Sequence, residues 1–535
     1  MDDMTFLEKF YNFAQQQPDA PAIQQLTPDG ALQTVASYQQ LLDQASRLAL
    51  GLVTRFGHAS TPRKVGLAIE NTPNWVITDL ALQLLGWIEV PVPLAFSPAQ
   101  AASLLKDVEL ILTDAASHNK MQEWADKEST IVSPLFRIEH NLYSEDYDAD
   151  SLWRDAIGRV NNNPEAIVKI IHTSGTTSAP KGVRIRSTAL EHQVRVLLKD
   201  IRPESLRCYL ALVPLSLLIE QLFAVEVILA SGGKIVFLPA GVKPFGGGDT
   251  RADDYLPHIK AANPSMMTVP PATVPPAIVE SINNRADTLL ASGIARDALS
   301  NEIFGGPSLP FLTCGGAPIS KSTLDALAEK GINAYEGYGL SEATAVVSWN
   351  KPDRFRFGSA GMPAPQVEMK IADDGELLVK TPTLFDGYEG SDSSALSLTD
   401  DGWLKTGDIA EFDADGFLYI RGRKRNLIIS SAGRNVAPEW VEATYRQNAG
   451  VHNIAVFGDS LEHLVAFIIP SADVVDDSQL ISDLTELAED QLPEYARVFE
   501  FHLLDAQQGS EYFTITGRPQ RQQLWQSLGH VFTGN

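Results

Sequence analysis

Three things are scarce in this chain, and each scarcity excludes something. In 535 residues there are two cysteines, Cys208 and Cys314. Both lie in apolar stretches, Cys-Tyr-Leu-Ala-Leu-Val-Pro-Leu and Phe-Leu-Thr-Cys-Gly-Gly-Ala-Pro, so a disulfide framework is not the design and a reducing, cytoplasmic setting is expected. Cations are few: 42 Lys and Arg stand against 67 Asp and Glu, a formal charge of −25. A field of that sign repels nucleic acid and anionic membrane surfaces, so neither is an expected partner, and any anionic ligand must be held by local donors. Long apolar runs are the third scarcity. The two most apolar segments, Trp75 to Phe96 and Cys208 to Ala230, are broken by Asp79, Gln83 and Glu89 and by Glu220, Gln221 and Glu226. Neither offers the roughly 18 uninterrupted apolar residues of a spanning helix, so no membrane span is expected and both read as core. The start, Met-Asp-Asp-Met-Thr-Phe-Leu-Glu-Lys-Phe, is acidic where a signal peptide is basic. The ten histidines show no zinc-site spacing, so no zinc is expected.

What is present points to a folded protein of several units. The composition is 44% hydrophobic and 20% charged, and at roughly 150 residues per domain the length implies three to four structural units. Strand-length apolar runs alternate with amphipathic helical stretches, the mark of βα units. Thr72-Pro73 opens a helix through Trp87, followed by a strand at Ile88 to Val92. A strand from Ala166 to His172 leads through a polar loop to Val183-Arg-Ile-Arg186, after which Ser187 or Thr188 caps a helix to Lys199. A third unit has a strand Phe311 to Cys314, a Gly-Gly-Ala-Pro turn, a helix from about Ser320 to Lys330 and a short strand Ile332 to Tyr335. After about residue 365 the texture changes to hairpins turned by Asp373-Asp-Gly375 and Asp413-Ala-Asp-Gly416. From about 425 a smaller α+β pattern follows: helices near Pro438 to Gln447 and Ser478 to Gln491 flank strands Ile454 to Phe457 and Leu464 to Ile469. The Gly/Ser-rich stretches 246–249 and 390–394 read as mobile connections. The fold expected is therefore α/β, with a large N-terminal domain of βα subdomains and mixed sheets, a β-rich subdomain at about 365–424 and a small mobile α+β C-terminal domain. The boundary falls between 1–424 and 425–535.

Residues 173 to 182 read Thr-Ser-Gly-Thr-Thr-Ser-Ala-Pro-Lys-Gly between two strand patterns. Hydroxyls, a glycine and a lysine in one short turn supply what a polyphosphate needs: approachable backbone N–H groups, hydroxyl donors and a cation. The loop is not G-x-x-x-x-G-K-[ST], because Gly182 follows Lys181. Taken alone the segment fits a nucleotide loop or a polar surface turn.

The same segment resembles the signature of the adenylate-forming enzymes: acyl-CoA synthetases, adenylation domains of peptide synthetases, and luciferases. Further matches follow in order. Tyr335-Glu-Gly-Tyr338-Gly-Leu-Ser341-Glu342 resembles the adenine and magnesium motif, and Gly402-Trp-Leu-Lys-Thr406-Gly-Asp408 the ribose motif. Arg421-Gly-Arg423-Lys-Arg425-Asn-Leu, with Gly433-Arg434-Asn-Val-Ala-Pro438-Glu439, resembles the hinge and first loop of the C-terminal domain. The resemblance covers about residues 5 to 525 and is closest to fatty acyl-CoA synthetases. It implies that Thr173, Ser174, Gly175, Thr176, Thr177 and Lys181 meet the phosphates and that Ser341 meets the α-phosphate. Glu342 takes Mg²⁺, Glu336, Gly337 and Tyr338 flank the adenine, and Gly316, Ala317 and Pro318 form its other wall. Asp408 accepts the ribose hydroxyls beside Arg423, Arg425 is the hinge, and the loop Ser431-Ala-Gly433-Arg434 borders a pantetheine tunnel. For Asp408 and Arg423 the bland alternatives are a turn acid and an exposed strand cation.

Two departures stand out. Where fatty-acid-activating members have Pro-Leu-x-His-x-x-Glu-Arg, this chain reads Pro214-Leu-Ser-Leu217-Leu-Ile-Glu220-Gln221, which keeps an apolar lining and loses polar groups. That leans towards a hydrophobic acid, the alternative being an ordinary buried helix that also contains Glu226. In the tail, Thr514-Ile-Thr-Gly517-Arg518-Pro519-Gln-Arg521 resembles Thr-x-x-Gly-Lys-x-x-Arg with Arg518 at the catalytic lysine position, and Arg is not an isostere of Lys. A lesser departure is Ser178 at a usual glycine. Asp413 and Asp415 superficially suggest a calcium loop, but no bidentate Glu follows, so a turn is expected. The expectation is ATP- and Mg²⁺-dependent activation of a medium- or long-chain carboxylic acid, a fatty acid by class, to acyl-AMP, then transfer to CoA. Alternatives are delivery to a phosphopantetheine acyl-carrier protein, formation of a β-lactone, or a degenerate binder with little turnover.

Overall fold

The computed structural model describes residues 4–58, 61–139, 142–145, 147–173, 181–245, 251–269, 277–316, 319–390, 398–429, 435–459, 461–471, 474–505, 509–513 and 518–533. The expected mobile connections, from 246 to 249 and 391 to 394, lie outside them.

The N-terminal part is organised by two large sheets. In one, five parallel strands (Leu135–Arg137, Leu110–Thr113, Lys64–Ala68, Ile88–Pro91 and Ile167–Thr173) are joined on one edge by two antiparallel ones, Lys181–Arg186 and Gly387–Tyr388. The phosphate-loop segment therefore joins a hairpin, with Thr173 paired to Lys181, and not two parallel strands of a βα unit. The second sheet has nine strands, among them the adjacent parallel pair Phe311–Gly315 and Ala334–Leu340. A four-stranded antiparallel sheet, Glu368–Ile371, Glu376–Lys380, Leu404–Phe412 and Leu418–Arg423, forms the β-rich subdomain.

The helix Pro73–Leu85 is apolar on nearly every side, and a helix of that kind is stable only when surrounded. It ends at Gly86 in the left-handed region. The charges that interrupt the two apolar segments meet each other inside. Lys169 Nζ lies 2.5 Å from Asp79 and 2.6 Å from Glu89, and Gln83 donates to both Asp79 and Glu226. Buried charge is tolerated only where it is paired in this way. Burial pushes the pKa of Glu89 and Glu226 well above the ordinary carboxylate range, the direction that disfavours their charged forms. No described helix is long and apolar enough to cross a membrane.

Several local expectations shift. The helix after the phosphate hairpin starts at Ser187, with Arg186 as its cap residue, because the Ser187 N–H bonds to the Ala166 carbonyl and the Thr188 hydroxyl to Glu165. The strand expected to stop at Tyr335 continues to Leu340, because the antiparallel strand Ala345–Trp349 pairs with Gly337 to Leu340. The apolar stretch after Leu217 is helical from Leu218 to Ala230 with a π turn over Gln221–Val227, for which the sequence carries no signal. Asp413 closes a hairpin turn through the N–H groups of Asp415 and Phe417, and both aspartates pair with Arg356, as a turn requires.

The C-terminal part has apolar clusters of its own, beginning at Ile428. A three-stranded sheet, Val451–Phe457, Leu464–Pro470 and Val498–Leu503, packs with the helices Pro438–Tyr445, Asp477–Gln491 and Arg521–Leu528.

Candidate active site

The site is assembled where the nine-stranded sheet, the β-rich sheet and the C-terminal part meet. Strands Phe311–Gly315 and Ala334–Leu340 run side by side with Gly315 opposite Gly337, so backbone faces backbone without side chains between them. Gly316 follows at φ +88, a conformation that favours glycine. Tyr338 extends from this floor and donates its phenol to Asp408 Oδ2 at 2.5 Å.

Asp408 and Arg423 are register partners across the hairpin of the β-rich sheet, and Arg423 Nε lies 2.9 Å from Asp408 Oδ1. The Thr406 hydroxyl bonds to the Leu377 carbonyl and receives the Asp408 N–H, which fixes the strand. Asp408 is 3% exposed, and that burial raises its pKa despite the opposing pull of Arg423 and the Tyr338 hydrogen bond. A turn acid in solvent has no such environment. The bland reading of Asp408 therefore does not describe what the fold does with it, whereas Arg423 pairs with it from a strand while 39% of its own side chain stays exposed.

Ser341, Glu342 and Ala343 form a 3₁₀ turn. Thr344 and Ala345 behind it both have positive φ, at 53° and 81°. Non-glycine residues hold such angles only where the surroundings over-determine them. Here the Thr344 hydroxyl donates to Thr383 O, the Thr383 hydroxyl to Ala343 O, and buried Gln193 to Val346 O. The Glu342 carbonyl receives the Phe385 N–H, and one carboxylate oxygen receives the Tyr388 phenol at 2.8 Å. A half-buried carboxylate so held keeps acceptor capacity for a hard cation, so the residues present fit Mg²⁺. Lys181, which opens the strand leaving the phosphate loop, stands over the Tyr388 ring, 5.0 Å from its centroid.

The C-terminal part brings Arg518 to the same place. Its guanidinium donates to the Gly316 carbonyl and lies in the field of Asp408, Glu439, Arg423 and Arg425. Gly422 admits the C-terminal part closely: at φ +153, a Cβ there would stand 2.7 Å from the Ala437 Cβ. Arg425 sits between two anchored neighbours. Lys424 pairs with Asp374 and Glu376 of the β-rich sheet, and Asn426 donates to Glu439 at 2.5 Å.

The structure thus gathers Lys181, Gly316, Tyr338, Glu342, Asp408, Arg423, Arg425 and Arg518. Ser174, Gly175, Thr176, Thr177, Ala317, Pro318 and Arg434 lie outside the described residues, as does the Thr173 side chain. Glu336 has partners within the protein itself. Its carboxylate accepts the Gly358 N–H and its carbonyl accepts from Asn350, so it braces the 350–358 loop. Burial pushes its pKa up to about 7. Sequence reasoning gave no role to Tyr388 or Gly422, and none to Thr406 beyond its place in the ribose motif, because what each does depends on a partner distant in the chain: Val183, Ala437 and Leu377.

The decisive match spans most of the chain: the family model described as AMP-binding enzyme fits residues 10–389. The chain belongs to the AMP-binding enzyme family. The model of the AMP-binding enzyme C-terminal domain fits residues 425–527. Among curated relatives, long-chain-fatty-acid–CoA ligase 6 of Mus musculus is 27% identical over 499 residues, covering 82% of this chain and 70% of that protein. Long-chain-fatty-acid–CoA ligase 1 of Cavia porcellus is 26% identical, covering 88% and 74%. Among solved structures, an anthranilate CoA ligase in complex with anthranoyl-AMP superposes with a TM-score of 0.76 at 20% identity, covering 98% of this chain and 97% of that one. The o-succinylbenzoate CoA synthetase of Bacillus subtilis gives 0.72 at 22%, covering 96% and 97%. At such identities these structures show the fold alone. Within the AMP-binding family the chain is an AMP-forming acid–thiol ligase.

Proposed function

We propose that this AMP-binding enzyme activates a medium- or long-chain fatty acid with ATP and Mg²⁺ and passes the acyl group to CoA. The observation that carries the reading is the meeting of Arg518 from the C-terminal part with the Gly316 carbonyl, beside Asp408 and Arg423. A cation delivered to that point faces the place where negative charge develops when a carboxylate oxygen attacks the α-phosphorus and the bond to the pyrophosphate oxygen breaks. Asp408 accepts the ribose hydroxyls and Tyr338 lies against the base, so the α-phosphate is held in line. Lys181 sits at the mouth of the phosphate loop and stabilises pyrophosphate as it leaves. Glu342 would hold Mg²⁺, whose charge offsets that of the phosphates. In the second step the CoA sulfur, its proton lost to solvent, attacks the acyl carbon and AMP departs.

A fatty acid is favoured by the names of the relatives and by the segment after Pro214. There Glu220 does not project a charge: it accepts the Tyr209 phenol at 2.7 Å in a buried chain that continues to Thr268 and Thr313. Burial pushes its pKa up to about 8. The helix around it therefore presents apolar side chains. The test is acid-dependent exchange of labelled pyrophosphate into ATP with saturated fatty acids of graded length, followed by thioester formation on adding CoA. Exchange with none of them, in folded protein that binds ATP, overturns the reading. Exchange without thioester formation from CoA moves the acceptor to a carrier protein.

A further inference from the structure

We propose that Tyr388 is a positioning residue that keeps Glu342 and Lys181 apart and available, and so sets the Mg²⁺ requirement of the nucleotide site. This rests on the assignment of Glu342 to the metal made above. The strap from Leu384 to Glu389 is laced to the strand leaving the phosphate loop. The Asp386 N–H bonds to the Arg184 carbonyl, the Glu389 N–H to Gly182 O at 2.7 Å, and Arg186 to the Leu384 carbonyl at 2.6 Å. Tyr388 is the register partner of Val183, and Glu389 forms an ion pair with Lys64 at the strap's end. On its other side the strap holds the metal-ligand turn through the Phe385 N–H and the Glu342 carbonyl, 2.9 Å apart. Phe385 packs edge-on against the Tyr388 ring at 5.0 Å, which fixes the ring's plane.

Held in this way, one side chain serves two groups of opposite charge. Its hydroxyl donates to Glu342 and its face receives the Lys181 ammonium. A lysine and a carboxylate that could approach each other directly would form an ion pair, and each would be lost to the ligand. With the phenol between them, Lys181 has only a ring face to give up to phosphate, and Glu342 keeps acceptor capacity for the metal while the hydroxyl stays on one of its oxygens. The hydroxyl also fixes the rotation of the Glu342 carboxylate, so the cation meets an oriented oxygen and not a freely turning one.

The experiment measures binding of a non-hydrolysable ATP analogue by calorimetry at graded Mg²⁺, with pyrophosphate exchange alongside. The proteins are the wild type, Tyr388→Phe, Tyr388→Leu and Glu342→Gln. Tyr388→Phe keeps the ring and its packing on Phe385. It is expected to raise the half-saturating Mg²⁺ about ten-fold, the worth of one hydrogen bond to a charged group, with metal-free nucleotide affinity and the acid KM unchanged. Tyr388→Leu is expected to weaken metal-free binding as well, because Lys181 loses its seat. An unchanged Mg²⁺ requirement in Tyr388→Phe overturns the positioning role, provided Glu342→Gln raises it. If Glu342→Gln also leaves the requirement unchanged, Glu342 is not the metal ligand, and the assignment in the proposed function falls together with this one.

Discussion

Replacing Asp408 by Asn separates what this residue does for the fold from what it does for the nucleotide. The substitution keeps the shape and removes the charge. Burial of the carboxylate is the largest influence on its pKa and raises it, so the fold holds the ionised form at a cost that Arg423 and Tyr338 only partly offset. A raised folded-state pKa means that the group's stabilising contribution is complete below the unfolded value of 3.8 and is lost as pH rises through the folded one. At neutral pH the wild type already bears that loss, whereas Asn, neutral at every pH, does not. Arg423, with 39% of its side chain exposed, can be hydrated when its partner is neutralised. The ligand has no such recourse. One amide oxygen cannot satisfy Tyr338, Arg423 and two ribose hydroxyls, and a hydrogen bond to a charged group is worth about 1.5–3 kcal/mol, so ATP affinity should fall by about two orders of magnitude. Calorimetric titration with ATP and a thermal melt, both at pH 7, read the two effects. The melting temperature should stay within about 2 °C of wild type or rise. Unchanged ATP affinity, or a melt lowered by many degrees, would refute the reasoning.

Other outcomes follow from the same geometry. Arg518→Ala should lower acid-dependent pyrophosphate exchange by about 10²- to 10³-fold with little change in ATP affinity, and Arg518→Lys should fall between, since it keeps the charge and loses the fork. Equal rates in all three proteins would remove Arg518 from the chemistry. Gly422→Ala places a Cβ 2.7 Å from the Ala437 Cβ and 3.0 Å from Glu439 Oε2. It should push the C-terminal part off the seam, reducing exchange while ATP binding persists, and full activity would show that the close approach is not needed. Glu220, with its pKa at about 8, makes the wild type lose stability as pH rises from about 4.5 through 8, by a few kcal/mol in all. In Glu220→Gln the melting temperature should vary less over that range, and parallel pH profiles would contradict it.

What could be read from the chain was what is local in it. Lys181 stands in a short run whose residue types suit a phosphate, while Asp408 and Arg423 were marked by the resemblance of their motifs and pair with each other in the structure. The hairpins at Asp373 to Gly375 and Asp413 to Gly416 were equally legible, because turn residues act within four positions. Tyr388 was not. Its role depends on a strand of two residues pairing with another about 200 positions earlier, and nothing next to Tyr388 in sequence announces that partner. The left-handed pair Thr344 and Ala345 was hidden for a related reason: sequence signals such angles through glycine, and here tertiary hydrogen bonds from Thr383 and Gln193 accompany them instead. Glu336 lies two residues before Tyr338, on the same face of the strand, and nothing near it in sequence marks Gly358 as the partner its carboxylate takes.

Arg425 lies between Lys424, tied back to Asp374 and Glu376, and Asn426, tied forward to Glu439. The stretch of chain between those anchors is one residue long, so the φ and ψ of a single position set how the two parts of the molecule face each other. Backbone angles fall into a few discrete wells separated by forbidden ground. We propose that Arg425 is the joint the motif resemblance implies, and such a joint would have a small number of stops and no continuous travel. A side chain that left fewer of those wells open would choose the stop before any substrate arrived.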